Sequence, residues 1–345
     1  MRDFNRVFII AEAGVNHNGS VEIAHKMIDK ARSAGADCIK FQVFNTEALV
    51  SANAPTASYQ REKTSETSQF SMLKALELKR EEIISLKKHC DDVEIEFLAT
   101  PFDLESVEFL DPLVSRFKIG SGDITNFPLL ESVARKGKPV LLSTGMATLG
   151  EIEDAFWLLA RHLPPHRITL LHCVSIYPTP PELVNLNVIH TLKRLFKIPV
   201  GFSDHSIGIN MAIAAVAMGA AVIEKHFTLD KGFKGPDHHA SIDAAELEML
   251  VNAVREIEIG LGNGLKCISD TEAEVKSVVR RGIYARRNIK AGQLLGAGDL
   301  IVLRPERGIP SRFFDDILGL KAAMEIKEGT PLEWWMLRPI SFCLL

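Results

Sequence analysis

Short apolar, β-branched runs alternate with stretches of helical spacing from the N-terminus to about residue 260. The runs predict strands at 7–10, 38–43, 96–99, 116–119, 140–143, 168–173, 199–203 and 221–226. Between them apolar residues return every three or four positions, as in Ile23, Met27, Ile28 and Ala31, or Leu247, Leu250, Val251, Val254 and Ile257. Eight strand-then-helix units predict an α/β chain folded as a closed parallel TIM (β/α)8 barrel. After Gly260-Leu261-Gly262-Asn263-Gly264 the pattern changes to short strands and glycine turns, such as Ile289-Lys290-Ala291-Gly292 and Ile326-Lys327-Glu328-Gly329. The predicted layout is a barrel over 1–262, a linker over 263–280 and a small β-rich domain over 281–345.

Polar residues close almost every run. Glu12 follows the first, Lys40 and Gln42 lie in the second, Thr100 follows the third, and Lys118 and Ser121 end the fourth. Ser143 ends the fifth, His172 sits near the end of the sixth, and His205 and His226 finish the seventh and eighth. In a barrel these ends point to one face, where chemistry occurs. The segment from Phe44 to Leu78, with Ser51-Ala52-Asn53-Ala54-Pro55-Thr56, is long for a strand-to-helix connection and is expected to cover the rim in part.

Composition adds what the chain does not do. A formal net charge of −4 without a long Lys/Arg block argues against nucleic acid or an anionic membrane as partner. No signal core precedes Val7-Phe8-Ile9-Ile10 and no run is long enough to span a bilayer, so a cytoplasmic location is expected. Cys38, Cys90, Cys173, Cys267 and Cys343 form no CxxC pair and read as reduced, structural thiols.

Several side chains ask for chemistry. Lys40 and Lys118 belong to strands whose inward residues a barrel buries, which is costly unless an anion sits between them. A phosphorylated carboxylate would supply it, with Ser121, Ser143 and Ser203 as hydroxyl donors. His205 and His226, with Glu224 two residues before the second, close consecutive strands. Two imidazoles with nearby carboxylates and open positions suit Mn²⁺ or Mg²⁺, acting as a Lewis acid on a carbonyl oxygen. Glu12 has little structural reason to face a barrel mouth, and Asp237 is expected to orient a substrate hydroxyl. His17 reads as a turn residue before the helix near Ser20, and His238 and His239 as solvated loop residues.

These residues resemble the sialic acid synthase family. The matching stretches run from Ile10 to Gly19, Ile39 to Gln42, Lys118 to Asp123, Leu142 to Met146 and Tyr177 to Pro180. They continue with Ser203-Asp204-His205-Ser206, Glu224 to Thr228 and Gly235-Pro236-Asp237-His238. The resemblance implies a C-terminal antifreeze-like (SAF) domain, carried by Arg281-Gly282-Ile283-Tyr284-Ala285 through Leu303-Arg304-Pro305. It also implies a domain-swapped homodimer in which Arg304 reaches the partner's site and holds the sugar's N-acyl group.

The implied reaction condenses phosphoenolpyruvate with open-chain N-acetylmannosamine and releases phosphate. By the same resemblance His205 and His226 hold the metal, and Lys40, Lys118, Ser121, Ser143 and Ser203 bind phosphoenolpyruvate. Gln42, Tyr177 and Asp237 then hold the sugar, and Glu12, Glu224 and Asp123 are the acid–base candidates. Asp123 stands where the commonest bacterial pattern has Glu, and the animal 9-phosphate synthases resemble this Asp form. Glu306 stands where a glycine usually follows the proline, which makes Arg307 an alternative to Arg304. Alternative substrates are a 2,4-diacetamido sugar, giving legionaminate or pseudaminate, and the 6-phosphate of N-acetylmannosamine. A metal-dependent barrel aldolase or 3-deoxy-sugar-phosphate synthase leaves the appended domain unexplained, and an ice- or carbohydrate-binding protein leaves Lys40, Lys118 and both histidines unexplained.

Overall fold

A computed structural model describes residues 6–54 and 68–339. The chain divides into two compact units, Met1–Gly262 and Asn263–Leu345. The first is an eight-stranded parallel barrel of β1 (Phe8–Gly14), β2 (Cys38–Val43), β3 (Glu96–Pro101), β4 (Phe117–Ile119), β5 (Val140–Ser143), β6 (Ile168–Cys173), β7 (Val200–Asp204) and β8 (Val222–His226). The ladder runs β3-β2-β1-β8-β7-β6-β5-β4, with β3 and β4 side by side at its ends. β1 continues four residues past its expected end at residue 10, because Glu12 interrupts the apolar run without leaving the buried strand.

Strand alternation sorts the barrel into two sets of side chains. Phe8, Ile10, Cys38, Leu98, Leu141, Leu171 and Val222 pack together as one apolar cluster plugging the interior. One turn of the pleat further along, the same parity delivers Glu12, Lys40, Thr100, Ser143, Cys173 and Glu224 to the open end. The opposite parity, including Ile9, Ile39, Phe41, Leu142, Phe202 and Ile223, belongs to the larger core between strands and helices. Gly201 falls on the inward parity of β7, where a Cβ would lie 2.5 Å from the Val222 carbonyl oxygen and 2.6 Å from Leu171 Cδ2. Only glycine fits that crowded layer.

The helices follow the expected spacing. Ser20 Oγ accepts the Ile23 N–H at 3.3 Å to start the helix Val21–Ser33, which buries Ala24, Met27, Ile28 and Ala31. Asp243 and Glu246 cap the helix Ala244–Gly260 reciprocally, and Leu247, Leu250, Val251 and Val254 form its buried stripe. The long connection after β2 contains short helices Thr46–Leu49 and Gln69–Leu76, and Phe44, Met72 and Leu76 pack with Val15. Pro55 and Thr56 of the expected cover lie outside the described residues, as does Cys343. Among the described residues no helix is long and apolar enough to cross a membrane.

In the second unit a helix, Asp270–Val279, occupies the segment expected as linker; none of its residues is buried, and Val275, Val278 and Val279 are exposed. Gly282–Ala285 pairs antiparallel with Leu300–Leu303, and Lys321–Ala322 with Leu337–Arg338. Ile283, Ile289, Leu300, Ile309, Ile317 and Leu332 contribute to a separate small core.

Candidate active site

The inward residues at the open end of the barrel enclose a cavity of about 370 Å³. Four buried charges form its floor. Lys40 Nζ lies 2.7 Å from Glu12 Oε2 and donates to Thr100 Oγ1 at 3.0 Å. Lys118 Nζ lies 3.3 Å from Glu224 Oε1, which also accepts the Ser203 hydroxyl at 3.1 Å. Gln42 Nε2 donates to Glu12 Oε1 at 3.4 Å. The lysines therefore have resident carboxylates, so a bound anion is not what makes their burial tolerable; this corrects the expectation drawn from burial alone. The hydroxyl of Ser143 and Glu224 Oε2 are buried without a hydrogen-bond partner, an orphaned donor and acceptor facing the cavity.

The two carboxylates are pushed apart electrostatically. Burial, reinforced by the charge of Glu224, holds Glu12 above the ordinary range despite Lys40. Burial also acts on Glu224, but Lys118 and Lys40 outweigh it and its pKa ends below the ordinary value. Lys118 is lowered by burial and by repulsion from Lys40. The two carboxylates thus lie on opposite sides of the ordinary range, and Glu12 takes up a proton more readily than Glu224.

His205 and His226 stand at the ends of β7 and β8 with ring centroids 5.4 Å apart. Tyr177 stacks on His205 at 4.0 Å and meets His226 edge-on at 5.6 Å. His205 Nδ1 donates to the Val174 carbonyl at 2.7 Å, which leaves its Nε2 lone pair available. His226 Nδ1 is buried without a hydrogen-bond partner, and burial holds the ring's pKa well below its ordinary value. Among the described residues no three His, Cys, Asp or Glu side chains form a closed cation cage. Two imidazoles of this kind do fit a dication that completes its shell from substrate and water.

Other expected residues sit differently. Ser121 lines the cavity and accepts the Gly145 N–H at 3.0 Å. Asp237 Oδ2 lies 3.9 Å from His226 Nδ1 beyond the cavity wall, its carboxyl pushed up to about 6 by burial. Asp123 also lies off the wall, accepting Asn126 Nδ2 at 3.0 Å, and burial raises it. Arg304 is exposed in the second unit, as is Arg307. His172 does not reach the cavity: its parity turns it toward the helices, where Nε2 bonds the Val184 carbonyl oxygen at 2.7 Å. His17 lies in the turn as expected, though buried, its Nδ1 accepting the Gly19 N–H at 3.1 Å, and His238 is buried rather than solvated.

Thr100, Cys173 and Ser175 line the cavity but were not among the expected ligands. Cys173 faces the cavity, its Sγ 3.8 Å from His205 Nδ1. Parity alone identifies Thr100 and Cys173, as each follows an interior leucine by two residues. Ser175 lies beyond the strand, and the signal for it is Gly145, where a Cβ would collide with its hydroxyl.

The NeuB family profile matches residues 27–266 and the SAF domain profile residues 280–338. N,N'-diacetyllegionaminic acid synthase of Campylobacter jejuni is 45% identical over 94% of this chain and 98% of its own. Human N-acetylneuraminate-9-phosphate synthase is 37% identical over 93% and 90%. The crystal structure of the N-acetylneuraminic acid synthetase of Leptospira borgpetersenii in complex with citrate superposes with a TM-score of 0.71, at 39% identity, over 79% of this chain and 90% of that one.

Proposed function

The chain belongs to the NeuB family of synthases, and we propose that it joins phosphoenolpyruvate to the open-chain aldehyde of a 2,4-diacetamido-trideoxyhexose, giving a legionaminate-type nonulosonic acid and phosphate. The observation that carries the sugar is the 45% identity, over nearly all of both chains, to a diacetyllegionaminic acid synthase, against 37% for the 9-phosphate synthase. N-acetylmannosamine is the second reading, favoured by the 39% identity to a sialic acid synthetase.

Phosphoenolpyruvate lies over the four-charge floor. Lys40 and Lys118 present their ammonium groups to the anion from the two ion pairs with Glu12 and Glu224. Ser143, unpartnered and buried, donates to its oxygens together with Ser121 and Ser203. Gln42, Tyr177 and Asp237 orient the sugar so that its aldehyde carbon meets C3 of the enol. The new C–C bond forms there, water adds at C2, and the C2–O bond to phosphate breaks. Glu12 supplies the proton to the nascent hydroxyl and Glu224 takes one from the water, with Asp123 as the further acid–base candidate. His205 and His226 would hold Mn²⁺ or Mg²⁺, whose Lewis acidity supplies polarisation of the aldehyde. A second copy of the chain contributes Arg304, with Arg307 as the alternative, to the sugar's N-acyl group. The exposed Val275, Val278 and Val279 favour such a homodimer.

Phosphate release is followed with phosphoenolpyruvate, Mn²⁺ and each amino sugar in turn. Turnover with the 2,4-diacetamido sugar at the highest kcat/KM is expected. Preference for N-acetylmannosamine selects the second reading, and no release with any sugar removes both.

A further inference from the structure

The loop after β8 is fastened to the turn after β1 by one buried imidazole. His238 is 0% exposed. Its Nε2 lies 3.1 Å from Asn18 Oδ1, a pure acceptor, so Nε2 carries the ring proton. Its Nδ1 lies 2.7 Å from Thr228 Oγ1 and must then accept the hydroxyl proton. Burial lowers its pKa to about 4, which suits a neutral ring with one donor and one acceptor. Gly235 lies against the same joint: a Cβ there would come within 2.7 Å of His238 Cδ2 and 2.9 Å of Asn18 Oδ1. A parallel set of bonds holds the next turn, for Asn16 Nδ2 donates to the Phe227 carbonyl and to Ser241 Oγ, both at 2.9 Å. Ser241 Oγ in turn donates to the Asp237 carbonyl at 2.7 Å.

We propose that His238, held between Asn18 and Thr228, is a positioning residue that aims Asp237 at the amino sugar and so sets affinity for that substrate and not for phosphoenolpyruvate. Asp237 is the residue directly before it, and its carbonyl accepts from Ser241 Oγ and, within the same loop, from the Ala240 N–H at 3.1 Å. Its carboxylate stands beside His226, 3.9 Å from Nδ1. Freed from the imidazole, the loop swings on Ser241 and the carboxylate loses its aim, while Lys40, Lys118 and Ser143, which sit on strands, stay in place. The inference rests on the assignment of Asp237 to the sugar made above.

The test measures KM for each substrate and the thermal midpoint of the full chain. His238→Leu removes both bonds. Asn18→Gly removes only the acceptor while suiting the left-handed backbone at φ 52, and it serves if His238→Leu does not fold. His238→Gln restores a donor at the Nε2 position. KM for the sugar is expected to rise about tenfold or more in the first two variants, in line with loss of one positioning hydrogen bond. KM for phosphoenolpyruvate should stay within about twofold, and His238→Gln should recover part of the loss. An unchanged sugar KM in a folded variant overturns the proposal, as does a parallel rise in both KM values with a lowered midpoint. A wild-type protein that turns over no amino sugar overturns the functional reading itself, before any variant is compared.

Discussion

Glu12 and Glu224 enter the cavity from adjacent strands, yet they face different cations and end on opposite sides of the ordinary carboxylate range. Replacing Glu12 by Gln keeps a hydrogen-bonding group but removes the transferable proton. Its kcat is expected to fall about 100-fold or more with little change in phosphoenolpyruvate KM; a kcat near that of the parent would remove the proton-donating role. His17 offers a stability test away from the reaction. Burial lowers its pKa from 6.5 to about 4, so the unfolded chain binds its proton more readily. The neutral ring's contribution is complete above pH 6.5 and drains away as pH falls toward 4, about 3 kcal/mol in all. Urea unfolding at pH 7.5 and 5 should show this difference shrinking in His17→Gln, and an equal pH slope in both proteins would contradict it.

At the level of elements, glycine at 201 lets β7 and β8 lie close enough to present His205 and His226 together. Gly201→Ala forces a methyl group against the Val222 backbone and is expected to cost about 1–3 kcal/mol, lowering the thermal midpoint by several degrees. An unshifted midpoint would show that the layer has room. The strands themselves were legible because their apolar runs are short, bounded by turn residues and spaced by helical stripes. Their polar ends were legible too, since charge inside a barrel demands a reason. What escaped was parity. His172 and Lys118 both sit on buried strands with polar character, but only every second position looks inward, and His172 falls on the other phase. Thr100, expected at the rim but given no ligand, and Cys173, read as structural, escape for the converse reason: uncharged and small, they cost far less to bury than a charge. The burial of His17 and His238 depends on contacts between segments more than 200 residues apart in sequence, Asn18 to His238 among them, which no local pattern encodes.

For the molecule as a whole, a shared site makes a quantitative prediction. An Arg304→Ala protein mixed with Lys118→Met, each inactive alone, should form hybrids in which one barrel and one cap are both intact. Statistical exchange gives roughly a quarter of wild-type activity, whereas no recovery would place Arg304 outside the partner's chemistry. The helix Asp270–Val279, which buries none of its residues within this chain, is the face expected to carry the proposed dimer contact; mass measurement in solution should then show a dimer for the parent and its loss in Val275→Glu and Val278→Glu, and a parent monomer would remove the contact. The interleaving of the strand tips has a wider consequence. On β8 a single deleted codon before Glu224 would carry Lys225 into the chamber and throw both Glu224 and His226 against the helices. Strand lengths are thus fixed by the reaction, and a change of sugar is left to the connections above them, where Tyr177 and Asp237 sit.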